Sequence, residues 1–130
     1  MGYCVEVDTN YFEFNVTNEE KVLSAIKQGI INKEITGESL VSFSSVLDSE
    51  TLEEAMAELR FKMERWDYTS ATLHFTGEKY GGYEYDLFKV LAPYVADDDC
   101  YIHYTGEDGE IWRYYFKDGQ CKEIYPTWDI

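Results

Sequence analysis

Two histidines, three cysteines and 26 carboxylates are the groups in this 130-residue chain that could do chemistry. Catalysis needs a titratable group held by a second one, so spacing decides what is open to them. His74 and His103 both fall in alternating stretches and are expected on strands. His74 takes the polar side of its strand and His103 an outer aromatic face, which suits solvated or hydrogen-bonded side chains better than general bases. Cys4, Cys100 and Cys121 are odd in number and show no C-x-x-C spacing. Cys100 and His103 would point to opposite faces of one strand, which disposes of a local metal or Cys-His site. Glu107 with Glu110 could serve glycoside chemistry, but in so acidic a chain such pairs arise by chance. The run DDDCYIHYTGED does not follow the calcium-loop spacing, and in GEKYGG Lys79 precedes the glycine pair instead of following it into a helix, unlike a phosphate loop. The expectation is a protein that is not an enzyme and has no cofactor or metal.

Charge points elsewhere. Twenty-six acidic against eleven basic residues give a formal charge of −15. That sign repels nucleic-acid phosphates and anionic membranes and steers the chain toward basic surfaces, which belong mainly to proteins that handle nucleic acid or to cationic toxins. Apolar residues at 45% suffice for a core. The residues after Met1, GYCVEVDTN, are neither basic nor continuously apolar, and no apolar run reaches membrane-spanning length. Buried, reduced thiols and a cytoplasmic location are expected. An exposed strand edge leaves a homodimer open.

The elements that must position these groups make a single α+β domain over residues 1–130. Its antiparallel sheet is built from an N-terminal hairpin plus a C-terminal three-stranded meander, packed against about three helices. Residues 3–8 and 11–16 alternate as strands around Asp8-Thr9-Asn10, giving the hairpin. Thr17 and Glu20 have capping-box spacing ahead of a helix over about 18–31. Val41 and Phe43 suggest a short strand within 39–47. Leu52, Ala55, Met56, Leu59, Met63 and Trp66 form one apolar helical stripe, with Thr51 and Glu54 at capping-box spacing and Arg60, Lys62 and Arg65 toward its end. A strand over 69–75 and a helix over 84–94, ended by Pro93, complete the set.

In the meander, GEDGE and FKDGQ separate three aromatic strands, and the turn type decides which side chains share a face. Two-residue loops would mix polar with apolar side chains. Three-residue loops with Gly109 and Gly119 as left-handed residues pair Gly106 with Glu110 and Phe116 with Gln120. Cys100, Ile102, Tyr104, Trp112, Tyr114, Phe116 and Ile124 then face the core, with Lys122 as the polar exception. Tyr101, His103, Thr105, Ile111, Arg113, Tyr115, Cys121, Glu123 and Tyr125 face out. That outer mixture of rings and charge has the composition of a protein interface.

The segment LFKVLAPYV, the acidic break at Asp97 to Asp99 and YIHYTGEDGEIWRYYFKDGQCKEIYP resemble small acidic proteins encoded by phages and mobile elements of Gram-positive bacteria. The resemblance covers the last third of the chain and transfers no catalytic residue. It implies an anti-defence inhibitor, of the anti-CRISPR or anti-restriction kind, that competes with DNA for a basic groove. The expected contacts are Asp97, Asp98, Asp99, Tyr101, His103, Glu107, Asp108, Glu110, Arg113 and Tyr115, with Glu50, Glu53, Glu54 and Glu58 as a second acidic track. An immunity protein that neutralises a cationic toxin or nuclease would carry the same charge.

Overall fold

A computed structural model describes residues 2–95 and 98–125, and Asp97 lies outside them. The elements run β1 (Val5–Asp8), β2 (Phe14–Asn15), α1 (Glu19–Ile31), α2 (Phe43–Leu47), α3 (Leu52–Glu58), β3 (Phe61–Arg65), β4 (Ser70–Phe75), α4 (Glu84–Leu91), a 3-10 turn (Ala92–Tyr94), β5 (Cys100–Gly106), β6 (Ile111–Lys117) and β7 (Gln120–Ile124). This is an α+β fold with two antiparallel sheets, ordered β1-β5-β6-β7 and β2-β4-β3.

The expected N-terminal hairpin does not form, because β1 and β2 belong to different sheets. The turn residues act as expected locally, with Asn10 N–H donating to Asp8 Oδ1 at 2.9 Å and Phe12 N–H to the Thr9 carbonyl at 3.0 Å. Thr9, however, is buried: its hydroxyl donates to the Leu73 carbonyl, and its own carbonyl accepts from Thr72 Oγ1. These bonds tie the turn to β4 and send the chain into the second sheet, where Phe14 pairs with Ala71.

Three helical expectations also change. Asn18 caps α1, accepting from Lys21 N–H, in place of Thr17. The segment read as a strand over 39–47 contains α2, since Ser42 accepts from Ser45 N–H and so supplies the partner that a helix start needs. The long stripe beginning at Leu52 is a helix only to Glu58. Its capping box at Thr51 and Glu54 forms as expected, but Arg60 takes a positive φ of 69° and the chain leaves as β3. Phe61 and Met63 then reach the core by strand alternation, and Trp66 is left half exposed. Both periodicities pass through Leu59, so helical spacing persisted by coincidence into a strand.

Phe88 on α4 joins the two sheets. Its ring lies 5.2 Å from Tyr114 in one and 5.9 Å from Phe61 in the other, and it is fully buried. Leu87, Phe88 and Leu91 face inward as the sequence indicates, and Pro93 falls in the 3-10 turn that ends the helix.

The meander adopts the expected register at its first turn and a different one at its second. Thr105 pairs with Ile111, Gly106 N–H donates to the Glu110 carbonyl at 2.7 Å, and Gly109 is left-handed at φ 87°. At the second turn Phe116 pairs with Cys121, not with Gln120, because Asp118 (φ 55°) and Gly119 (φ 73°) are both left-handed and close a two-residue loop. A slip of one residue exchanges the faces of the whole strand. Cys121 is therefore buried and Glu123 turns to the inner side, while Lys122 and Ile124 are exposed.

Candidate functional site

The outer face of the four-stranded sheet gathers the predicted aromatic and basic residues. Strand alternation leaves Tyr101, His103, Thr105, Ile111, Arg113 and Tyr115 half buried, opposite the enclosed Ile102, Tyr104, Trp112, Tyr114 and Phe116. The Arg113 guanidinium lies 4.2 Å from the centroid of the Tyr101 ring, whose other neighbour is Tyr11, stacked at 5.1 Å. Arg113 Nε–H donates to His103 Nδ1 at 3.1 Å. His103 is thereby held neutral at that nitrogen, and burial followed by the Arg113 charge keeps its pKa below the usual value. Tyr11 escapes a sequence argument based on the meander alone, since it approaches β5 through Tyr101 N–H donating to its carbonyl.

The predicted acids are separated, and several are engaged within the fold. Asp99 accepts the Tyr115 hydroxyl, and Asp98 accepts Asp118 N–H at 3.0 Å, so both sit at the start of β5. Glu107 accepts Cys4 N–H at 2.6 Å. Asp108 accepts the Tyr3 hydroxyl and Glu110 N–H, and the Tyr3 bond holds its carboxyl below the usual range. These turn acids lie at the far end of β5, roughly 25 Å from Asp99 at about 3.3 Å per residue. Register adds Glu6 and Asp8 to the outer face, paired with Thr105 and His103 on the flanking strand β1. On α3, Glu54 is used by its capping box and Glu53 meets Arg65 at 3.0 Å, while Glu58 and, just ahead of the helix, Glu50 remain exposed. That helix packs on α1, α2 and β3.

Other chemically suggestive groups are absorbed by structure. His74 is exposed and meets Glu64 across the β3–β4 pair. In GEKYGG the amides of Gly81 and Gly82 donate to the Glu84 carboxylate at 2.8 and 2.7 Å, so the first side chain of α4 fills the place an anion would take. No disulfide joins the cysteines, and burial pushes the Cys121 thiol up to about 12. Among the described residues no three histidine, cysteine or acidic side chains are grouped to hold a metal, and no helix is long and apolar enough to cross a membrane.

Several concavities lie among the described residues. A cleft of about 610 Å³ between α1 and α4 is lined by Gln28, Glu34, Asp86, Lys89 and Tyr94 among others. A smaller pocket of about 230 Å³, on the inner side of the four-stranded sheet, is lined by Tyr3, Tyr80, Glu110, Trp112, Glu123 and Tyr125. Sequence reasoning missed it because Glu123 reaches that side only through the two-residue Asp118-Gly119 turn. The chain matches no protein-family model, no curated protein and no solved structure.

Proposed function

We propose that this protein is an acidic cytoplasmic inhibitor that docks on the basic, nucleic-acid-binding surface of a partner protein, in the manner of an anti-defence protein. The observation that carries this reading is the placement of charge around the outer sheet face. Glu6 and Asp8 border the Tyr101–Arg113–Tyr115 strip on one side, Asp98 and Asp99 lie at one end, and the Glu107–Asp108 turn lies at the other. Carboxylates on three sides of an aromatic strip suit a basic groove, with the rings as anchors and the acids standing where phosphates would. Few acids are neutralised internally: among the described residues only Glu19, Glu53, Glu64, Glu84 and Asp86 meet a cationic or histidine side chain. The remaining charge is available to steer association.

The test is capture of partners from a bacterial lysate, followed by affinity measurements across a salt series with duplex DNA as competitor. A basic nucleic-acid-handling partner, affinity that falls steeply with salt, and displacement by DNA are expected. Salt-insensitive binding alongside bound DNA would sink the proposal. Capture of a cationic toxin would replace the anti-defence role with immunity.

A further inference from the structure

The 230 Å³ pocket has the chemistry of a cation cage, and we infer that it binds a methylated ammonium group. Three tyrosine rings and the Trp112 indole line it, and the indole is itself stacked on Tyr104 at 5.3 Å. Tyr80 stands perpendicular to Trp112, at 89° with centroids 5.8 Å apart, and Tyr3 is stacked beside the same indole at 6.3 Å. Tyr125 and the carboxylates Glu110 and Glu123 complete the lining. A cation over such rings is attracted by their negative faces, and the two acids add to that attraction. An anion would meet two carboxylates and no lining cation.

Hydrogen bonds hold the cage open before any ligand arrives. The Tyr3 hydroxyl donates to Asp108, and the Tyr80 and Tyr114 hydroxyls meet at 2.6 Å. Tyr114 also donates to Glu123 Oε2 at 3.0 Å, and Tyr125 donates to Glu123 Oε1 at 3.2 Å. Rings pinned at their hydroxyl ends do not collapse onto each other, so little ordering remains for binding to impose. The same bonds select the ligand. Both oxygens of Glu123 already accept from tyrosines, so it offers charge more than hydrogen-bonding capacity. A primary ammonium needs acceptors for three N–H donors, whereas a methylated one presents methyl groups to the rings. The volume falls below the roughly 300 Å³ at which drug-sized ligand sites begin, and fits a head group with its first methylenes. The pocket lies on the other side of the sheet from the proposed docking strip and does not depend on that strip's function.

The experiment is titration of the full chain with tetramethylammonium, choline, a trimethyl-lysine peptide and its unmodified counterpart, following the Trp112 indole ¹H–¹⁵N signal at constant ionic strength. Saturable Trp112 shifts are expected with the methylated probes and not with ammonium chloride or the unmodified peptide. Tighter binding of the trimethyl-lysine peptide than of choline points to a protein source, and the reverse to a free metabolite; both support the cage. Tyr125→Leu and Glu110→Gln, at an exposed strand end and an exposed turn, should each weaken binding roughly two- to fivefold without lowering the thermal midpoint. No saturable shift with any methylated probe up to about 50 mM would overturn the inference, as would unchanged affinity in both variants.

Discussion

Arg60 Nη2 lies 3.5 Å from Glu84 Oε2, and the Glu84 side chain is fully enclosed. The carboxylate also accepts the Gly81 and Gly82 amides, while Arg60 Nε–H donates to the Tyr83 hydroxyl at 3.1 Å. Burial outweighs these contacts and raises the Glu84 pKa. The folded state therefore holds the proton more tightly than the unfolded one. The stability this contributes is complete below the ordinary value of 4.5 and is lost as pH rises through the folded value. Glu84→Gln should remove that decline in urea denaturation run from about pH 4 to 8. Glu84→Ala should cost about 3 kcal/mol near neutrality, because it strands two amides and a half-buried guanidinium. Equal pH profiles for wild type and Glu84→Gln would refute the assignment.

Gly119 sets the register of β7 through its φ of 73°, and a Cβ there would meet nothing nearer than Pro93 Cα at 4.0 Å. The penalty for Gly119→Ala is thus conformational and not steric, about 1 kcal/mol in chemical denaturation. Asp118→Asn should be tolerated or mildly stabilising, since asparagine suits the left-handed position at least as well. A destabilising Asp118→Asn would show that the aspartate has a role beyond the turn.

Gly106 makes room for Tyr3. A Cβ at Gly106 would fall 1.6 Å from the Tyr3 hydroxyl oxygen, so Gly106→Ala must push the ring away and break its bond to Asp108. We expect a loss of about 1–3 kcal/mol. In a Tyr3→Ala background the same change should cost clearly less, and additive losses in the double-mutant cycle would rule out this steric account.

The cysteines should differ in reactivity. Cys121 is buried with its thiol pushed up to about 12, and Cys100 is buried on the inner face, whereas Cys4 is half exposed. Iodoacetamide under native conditions should modify Cys4 first, with Cys100 and Cys121 labelled only on unfolding. Mass spectrometry of partly labelled protein checks this, and early modification of Cys121 would contradict the β7 register.

How far these features were legible in the sequence depended on whether local chemistry had one solution. The aromatic alternation of β5 and β6 and the Gly109 turn admitted one register, so the inward placement of Trp112 and Tyr114 followed from the residues alone. Asp118-Gly119 admitted two loop lengths, and polarity favoured the wrong one because Ile124 looked like core and Glu123 like surface. The break at Arg60 was hidden for a different reason. A left-handed arginine carries no compositional mark, and its support comes from distant partners, with the guanidinium 5.1 Å from the Phe75 centroid and 5.6 Å from that of Tyr83. Thr9 likewise redirected the chain through bonds to Leu73 and Thr72 that no window around residue 9 contains.

His103 gives the outer face a pH dependence whose sign follows from its hydrogen bond. Nδ1 accepts from Arg113 Nε–H, so protonation removes the acceptor and sets two cations side by side. Burial and Arg113 lower its pKa, while Asp8, opposite it on β1, opposes the shift. Because the folded value lies below the unfolded one, the stability this arrangement contributes is complete above the ordinary value of 6.5 and is lost as pH falls through the folded value. NMR titration should place His103 below 6.5 with the proton on Nε2 at neutral pH, and Arg113→Ala should move it part of the way back. The Arg113 guanidinium over Tyr101 should loosen in the same acid range, seen as broadening of the Tyr101 ring signals. A His103 that titrates above 6.5 would mean that Asp8, and not Arg113, governs this face.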